Sequence, residues 1–235
     1  MMPLNEALER CLKENGAALV GFADLRELDE DTREGLPYGI SIAVALDPDI
    51  LTGIGEGPTA DYHDEYKAIN KKLVLLADAA ANFLSDNRYR AIPLHPTVDE
   101  DKAKLSTRLP HKTVATRAGL GWIGKCALLI TREYGSAIRL TTVLTDAPLV
   151  TGQPENNSHC GSCSACVDIC PGGAVTGRDW QSGMPRESLY DAHACRRTAR
   201  ELSFKGFGEY VSICGRCIVV CPWTRKYLVN PSTSR

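Results

Sequence analysis

The chain has 235 residues, of which 43% are hydrophobic and 24% charged, and its formal net charge is −2. This length can build one large domain or two modest ones, and the small net charge gives no overall basic field of the kind that attracts nucleic acid. No stretch approaches the roughly 18 apolar residues of a membrane span, and no secretory signal is visible. We therefore expect a cytoplasmic protein of a reducing compartment, without a membrane partner.

The first part of the chain alternates helical and strand patterns. Apolar spacing predicts an amphipathic helix over residues 4–14, with Cys11 as a core residue on its apolar face. Continuous apolar runs predict buried strands over 17–23 and 40–46. Further along, the sequence predicts a glycine-rich loop at 53–58, a helix over 59–87 capped by Thr59, a short strand at 90–95 and a charged surface stretch at 99–104.

The middle segment is rich in glycine and precedes a predicted hairpin. Three glycines at 119, 121 and 124 surround Trp122, and glycine allows close approach to backbone or to a flat ligand. Residues 127–131 and 136–145 predict two strands joined across a turn at 133–135. Residues 151–158 have the composition of a linker into a C-terminal domain.

Eight of the ten cysteines fall in the last third of the chain. Two runs end in Cys-Pro, and one cysteine stands between them; the set is Cys160, Cys163, Cys166, Cys170, Cys195, Cys214, Cys217 and Cys221. Three thiolates at two-residue spacing let a short loop hold three corners of an iron–sulfur cube. The spacing predicts two 4Fe–4S clusters.

The ligands can be divided between the two clusters. In two-cluster ferredoxins the cysteine before proline ligates the other cluster. Applied here, the first cluster takes Cys160, Cys163, Cys166 and Cys221, and the second takes Cys170, Cys195, Cys214 and Cys217. Cys195 is included because it completes the count of eight thiolates.

Two other uses of the cysteines are weighed against clusters. Disulfides require an oxidising compartment. Two zinc sites of four cysteines each are chemically possible, but zinc ligands usually come as two separated pairs. The triplets followed by Cys-Pro favour iron–sulfur clusters over both.

Several segments together resemble the epoxyqueuosine reductases, which are related to the reductive dehalogenases. They are Ala-Gly-Leu-Gly-Trp-Ile-Gly-Lys at 118–125, Gly-Ser at 135–136, Asp-Tyr-His at 61–63 and Cys-Pro-Trp at 221–223. The resemblance implies an α+β fold, with an N-terminal α/β sandwich of the corrinoid/nitroreductase type over 1–150. A ferredoxin-like domain with two 4Fe–4S clusters would follow over 151–235.

The resemblance also implies a cofactor and partners. A cobalamin-type cofactor would bind in the N-terminal domain, and Trp122, Gly124, Lys125 and Cys126 are the candidate residues for contacting it. A low-potential electron donor protein would feed the clusters, and the reduced cofactor would reduce a small-molecule substrate or serve a partner enzyme.

Three positions depart from the family pattern. The proton-donor Asp expected seventeen residues before Trp122 is Leu105, the Glu expected six residues later is His111, and the usual Asn or His after Gly-Lys is Cys126. Imidazole titrates near neutral pH, so His111 is the candidate catalytic proton donor. The family's tRNA-modifying members carry a helical-repeat domain after the second cysteine run, and the chain ends there. We therefore do not expect tRNA as a partner.

A second functional class fits the same residues. The missing Asp favours a ferredoxin-type electron-transfer protein that serves a partner enzyme and catalyses nothing itself. A zinc-stapled interaction module is a third, weaker reading of the cysteines.

Overall fold

The computed structural model describes residues 3–96 and 103–230. The chain forms two compact units, each assembled from three segments. The first unit comprises the described parts of 1–45, 69–121 and 139–155, and the second those of 46–68, 122–138 and 156–235. Most of the charged stretch predicted at 99–104 lies outside the described residues.

The units contain eight helices and six strands among the described residues. The helices are α1 Leu4–Glu14, α2 Pro48–Thr52, α3 Ala60–Asp86, α4 His111–Arg117, α5 Ala165–Asp168, α6 Ala192–Phe207, α7 Arg216–Val220 and α8 Pro222–Val229, with a 3₁₀ turn at Arg186–Ser188. The strands are β1 Leu19–Asp24, β2 Tyr38–Ala45, β3 Ala91–Leu94, β4 Trp122–Ile123, β5 Leu129–Ile130 and β6 Ile138–Thr145.

The first unit is built on a four-stranded sheet with the order β1-β2-β6-β3. β1 pairs antiparallel with β2, placing Leu19 opposite Ala43, and β3 pairs antiparallel with β6, placing Ala91 opposite Thr145. Six consecutive residues of β2 are buried, which explains why its sequence lacks the alternation of a half-exposed strand. The predicted helix over 4–14 and the predicted strands near 17–23, 40–46 and 90–95 are confirmed.

Glycine in β2 lets α4 pack directly against the sheet. A Cβ atom at Gly39 would lie 2.8 Å from side-chain atoms of both Leu25 and Val114. Both neighbours are fully buried in the core of this unit, so they have little room to move. This contact fixes α4, and His111 is the first residue of that helix.

The long helix α3 begins where the sequence predicts. The Thr59 hydroxyl accepts a hydrogen bond from the Tyr62 backbone N–H at 3.2 Å, which satisfies one of the unpaired donors of the first turn. The first residues of α3 belong to the second unit and the remainder to the first. A single helix therefore carries the chain from one unit into the other.

The prediction of a hairpin across residues 133–135 is wrong. β5 pairs with β4, with Trp122 opposite Ile130, and β6 pairs with β3. What remains at the predicted turn is an isolated bridge between Thr131 and Gly135. Gly135 adopts a positive φ of 57°, and its backbone packs against Thr224 so closely that a Cβ atom could not fit. This contact turns the chain away from a regular hairpin.

The division into units differs from two continuous domains. Residues 46–68 and 122–138 belong to the same unit as the cysteine-rich segment, so the boundary expected at residue 150 stays a prediction. None of the helices in the described ranges has the length and apolar character needed to cross a bilayer.

We predict that Gly39→Ala destabilises the protein by about 1–3 kcal/mol, because the added methyl group overpacks the core between Leu25 and Val114. The measurement is urea unfolding of the iron-loaded protein under anaerobic conditions. Gly55→Ala is the matched control, since a Cβ atom there would meet nothing within 4 Å. Equal unfolding midpoints for the two variants would contradict the packing described.

Candidate functional site

The four thiols predicted for the first cluster line one cavity in the second unit. Cys160 and Cys163 lie in the loop before α5, Cys166 lies in α5, and Cys221 is the residue before α8. Cys221 has extended backbone and Pro222 occupies the first turn of α8, where its missing N–H costs nothing. The Cys-Pro pair thus ends one helix, starts the next and aims a thiol at the loop.

Three of the four thiols predicted for the second cluster also lie near one another. Burial raises the pKa of Cys195 to about 11, and the neighbouring Cys214 and Cys170 thiols add to the rise. α6 places Cys195, and Asp191 caps this helix by accepting hydrogen bonds from the His193 and Ala194 backbone N–H groups at 2.8 and 2.9 Å. The cysteine with the least support from sequence is therefore positioned by a well-capped helix.

Two further predicted ligands also have raised thiol pKa values. Burial also raises the pKa of Cys214 and of Cys221. Ligation requires thiolates, so iron binding must displace these protons. One backbone donor already points at sulfur, because the Ala174 N–H lies 3.3 Å from Cys170 Sγ, and such hydrogen bonds tune cluster potentials.

Cys126 is a ninth cysteine that the structure places among the predicted ligands. Its side chain is buried together with Trp122 and Ile130 in a small cluster against which Cys166, Cys217 and Cys221 pack. A hydrogen bond with Cys166 acts to lower the pKa of the Cys126 thiol, but the hydrogen bond with Cys217 and complete burial outweigh it, so the pKa lies well above its usual range. Cys166 and Cys217 are predicted to ligate different clusters, so the two predicted ligand sets meet at Cys126.

Trp122 and Gly124 form the wall beside these thiols. Trp122 is fully buried and packs edge-on against His159 and Trp223, with ring centroids 4.9 and 5.2 Å apart. Its Nε1–H has no acceptor among the described residues, and a cluster sulfur is an acceptor of the kind it lacks. A Cβ atom at Gly124 would lie 2.8 Å from Ile130 and 3.5 Å from Cys160 Sγ, so glycine lets the turn approach the ligand loop.

Lys125 is buried and reaches the loop that carries the predicted ligands Cys160 and Cys163. Its ammonium donates to the carbonyl oxygens of Gly161 at 2.6 Å and of Cys163 at 3.1 Å. The nearest carboxylate, Asp179, lies 3.8 Å away and is half exposed. Trp122, Gly124, Lys125 and Cys126 are all buried beside cysteines. Because these four residues are buried, they offer no open surface to a corrinoid macrocycle, and their role in binding one stays a prediction.

The other resemblance segments also belong to the cysteine-rich unit. The Ser136 backbone N–H donates to Thr224 Oγ1 at 3.0 Å, which joins Gly-Ser to the residue after Cys-Pro-Trp. His63 stacks on Phe207 at the end of α6, with ring centroids 5.0 Å apart. Tyr62 packs against Gly215 at the start of α7. These segments support the helices and turns that hold the cysteines.

His111 lies in the first unit, whereas the eight predicted cluster ligands lie in the second. Its Nδ1 is 3.0 Å from the Thr142 hydroxyl oxygen, and it lines a cavity of about 210 Å³ together with His95, Thr107 and Arg108. Burial lowers the pKa of His111 to about 4; the nearby Arg139 charge adds to this, and a hydrogen bond to the His95 backbone opposes it. The imidazole is therefore neutral at pH 7 and would have to act as a proton donor in that form.

Sequence analysis missed three residues of these sites. Thr224 could have been found from its position directly after Cys-Pro-Trp. Thr142 and Asp179 carry no local signal, because their roles arise when distant segments meet: Thr142 faces His111 and Asp179 faces Lys125.

Comparison with known proteins defines the class of the cysteine-rich segment. Residues 159–224 match the family described as a 4Fe-4S double cluster binding domain. This match supports the predicted pair of 4Fe–4S clusters over zinc or disulfides.

The chain is also similar in sequence to the epoxyqueuosine reductases. It is 34% identical to the enzyme of Pseudomonas aeruginosa over 174 residues, which covers 70% of this chain and 42% of that protein. It is 33% identical to the enzyme of Listeria monocytogenes over 167 residues, covering 71% of this chain and 40% of that protein. The matched region is thus less than half the length of these curated relatives.

Solved structures share the fold. A catabolic reductive dehalogenase in complex with 3-bromo-4-hydroxybenzoic acid aligns with a TM-score of 0.73 at 18% identity, covering 96% of this chain and 33% of that one. An epoxyqueuosine reductase with an epoxyqueuosine-modified tRNA-Tyr stem loop aligns with a TM-score of 0.62 at 23% identity, covering 94% of this chain and 65% of that one.

Fold and comparisons together define an iron–sulfur protein with a double 4Fe–4S cluster domain. More particularly, the chain is related to the epoxyqueuosine reductases and, by fold, to the reductive dehalogenases, so the predicted resemblance is confirmed.

The expectation that tRNA is not a partner is wrong. The curated relatives are epoxyqueuosine reductases, and one solved neighbour holds a modified tRNA stem loop. Net charge was a poor guide because it averages over the whole surface, whereas nucleic acid responds to the local distribution of charge.

We predict that Cys163→Ala loses one cluster, because a ligand is removed from the first set. The iron content of anaerobically prepared protein should fall from about eight to about four atoms per chain. Cys126→Ala is the matched control: it removes a buried thiol from the same site but no predicted ligand, and should keep about eight irons. Iron loss in Cys126→Ala alone would contradict the ligand assignment.

We predict that the His111 ring stays unprotonated until the pH approaches 4, against an ordinary value of 6.5. The unfolded chain binds this proton first, so stability should fall as the pH drops from 6.5 toward 4, by up to roughly 3 kcal/mol. His111→Gln should lack that part of the loss in urea unfolding. Imidazole NMR titration checks the value directly, and a midpoint near 6.5 would refute the buried neutral state.

Proposed function

We propose that this protein is an iron–sulfur reductase of the epoxyqueuosine reductase type, in which two 4Fe–4S clusters deliver electrons to a bound acceptor. The observation that carries the proposal is the convergence of Cys160, Cys163, Cys166 and Cys221 on one cavity within a segment that matches a double cluster domain. Because each cluster exchanges one electron, a pair of clusters holds the two electrons that reduction of a closed-shell substrate requires.

The arrangement of the ligand sets supports transfer between the clusters. Cys166 and Cys217, predicted to ligate different clusters, both form hydrogen bonds with Cys126. An electron therefore has a short route through buried sulfur and the aromatic wall of Trp122 and Trp223. The predicted ligand cysteines are partly exposed, Cys195 most of all, and solvent access is one of the factors that set cluster potentials.

The acceptor in this proposal is a cobalamin-type cofactor. The support is the resemblance and the shared fold with a reductive dehalogenase described as B12-dependent. Bound cobalamin would supply a metal centre that is reduced and then passes electrons to substrate. The four residues predicted to contact it are buried beside cysteines, so no step of the proposal is assigned to them.

The proposed substrate is epoxyqueuosine carried by tRNA, as in the names of the relatives. The position of the family's proton-donor Asp holds Leu105, whose backbone adopts a positive φ of 54°. Leucine cannot supply a proton, and His111 is neutral. The proton would come from the neutral His111 N–H or from water.

We predict that the anaerobically purified chain binds cobalamin with a change in its visible spectrum and reduces an epoxyqueuosine-containing tRNA stem loop when dithionite supplies electrons. Mass spectrometry of the nucleoside reads out the product, and Cys163→Ala, which lacks a cluster ligand, should show no turnover. Reversible cluster redox with neither cobalamin binding nor product would favour the electron-transfer protein instead.

A further inference from the structure

Lys125 is a buried lysine whose positive charge is only weakly neutralised by the groups around it. The residue is 8% exposed, and burying an ammonium costs several kcal/mol unless it is paired. Its direct partners are two uncharged carbonyl groups, those of Gly161 and Cys163. Asp179 stands 3.8 Å away with a side chain that is 51% exposed, so water screens its charge. The site therefore keeps much of a positive charge inside the protein.

That charge lies at the lining of the first cluster's cavity. Lys125 lines it together with Cys160, Cys163, Cys166 and Cys221. The two carbonyls that it binds belong to residues within the ligand loop, one of them a ligand residue itself. Gly124, next to Lys125, has no side chain to hold the turn away from Cys160 Sγ. Lysine and ligands are thus fixed to one another by short contacts within one unit.

A cluster held by four thiolates is an anion, and reduction adds one more electron without making or breaking a bond. A buried cation is attracted more strongly to the reduced cluster than to the oxidised one. It therefore makes reduction more favourable, and its removal must lower the reduction potential. A lysine at the protein surface exerts much less of this effect because water and salt screen it.

We propose that Lys125 is a positioning residue that raises the reduction potential of the cluster held by Cys160, Cys163, Cys166 and Cys221. This inference rests on the proposed iron–sulfur function. It assigns to the Gly-Lys segment a role toward the cluster, where the sequence resemblance suggests contact with a second cofactor. Lys125 touches neither substrate nor the reacting atoms; it acts through the ligand loop and the cluster's charge.

The test compares Lys125→Met with the wild type in the full chain, purified anaerobically with both clusters loaded. Methionine keeps most of the side chain's volume and removes the charge. A redox titration followed by electron paramagnetic resonance should show one cluster at lower potential and the other unchanged. At a fixed potential the reduced-to-oxidised ratio of that cluster should fall at least tenfold, which corresponds to about 59 mV for one electron.

Lys226→Met is the matched control. Lys226 belongs to the same unit, and its ammonium lies 4.3 Å from the ring centroid of Trp223, which lines the same cavity. Its side chain is exposed, so removal of the same charge should leave both reduction potentials nearly unchanged. At a fixed potential, the reduced-to-oxidised ratio of each cluster should change by less than a factor of two. Lys125→Arg, which keeps the charge, should restore the wild-type value. Lys125→Met with full iron content and unchanged potentials would overturn the proposal.

A second variant decides the matter if Lys125→Met does not retain iron. Lys125→Gln keeps an amide donor for the Gly161 and Cys163 carbonyl groups but removes the positive charge, so the potential of the same cluster should fall as expected for Lys125→Met; an unchanged potential would overturn the proposal. All these measurements use neither cobalamin nor substrate. Shifted potentials in a protein without turnover would therefore refute the proposed function and leave the role of Lys125 intact.

Discussion

The second unit depends on one demanding requirement, which is to bring many cysteine side chains together in a partly buried space. Burial there raises the pKa of Cys195, and the neighbouring Cys214 and Cys170 thiols add to the rise, so iron must take the place of the proton when the thiolate binds it. Metal binding and folding of this unit are thus coupled. The helices α5, α6, α7 and α8 are short or capped by hydrogen bonds, and iron supplies cohesion that a larger apolar core would otherwise provide.

The segments that carry the sequence resemblance serve this requirement. Gly-Trp-Ile-Gly-Lys forms the wall and the buried cation beside the ligand loop, and Gly-Ser binds the residue after Cys-Pro-Trp. Asp-Tyr-His packs against the ends of α6 and α7. Residues 61–63, 122–125 and 135–136 all precede the cysteine-rich segment in sequence, yet they belong to the same compact unit as that segment. In this chain, the residues that carry the family resemblance contact the loops and helices that hold the predicted cluster ligands.

Sequence reasoning succeeded where the signal is local. The helix over 4–14, the Thr59 cap and the strands of the first unit follow from periodicity and capping, and the two cluster runs follow from spacing. It failed where long-range contacts decide. The expected hairpin near 133–135 does not form, and β5 pairs with β4. The reason is that Gly135 packs on Thr224, which is 89 residues later in the sequence. Burial of Lys125 was likewise invisible, since a lysine after glycine gives no local sign of the carbonyls that will surround it.

The place of Cys126 has a consequence for how the protein matures. Its thiol lies within hydrogen-bonding range of Cys166 and Cys217, and a pair of neighbouring thiols is also the substrate for oxidation. In a nascent chain that meets an oxidant before it meets iron, a bond between two of these sulfurs would remove a ligand from either cubane. Assembly therefore has an order, because iron and sulfide must bind while every thiol is still reduced. The assembled clusters then protect the Cys126 thiol from oxidation.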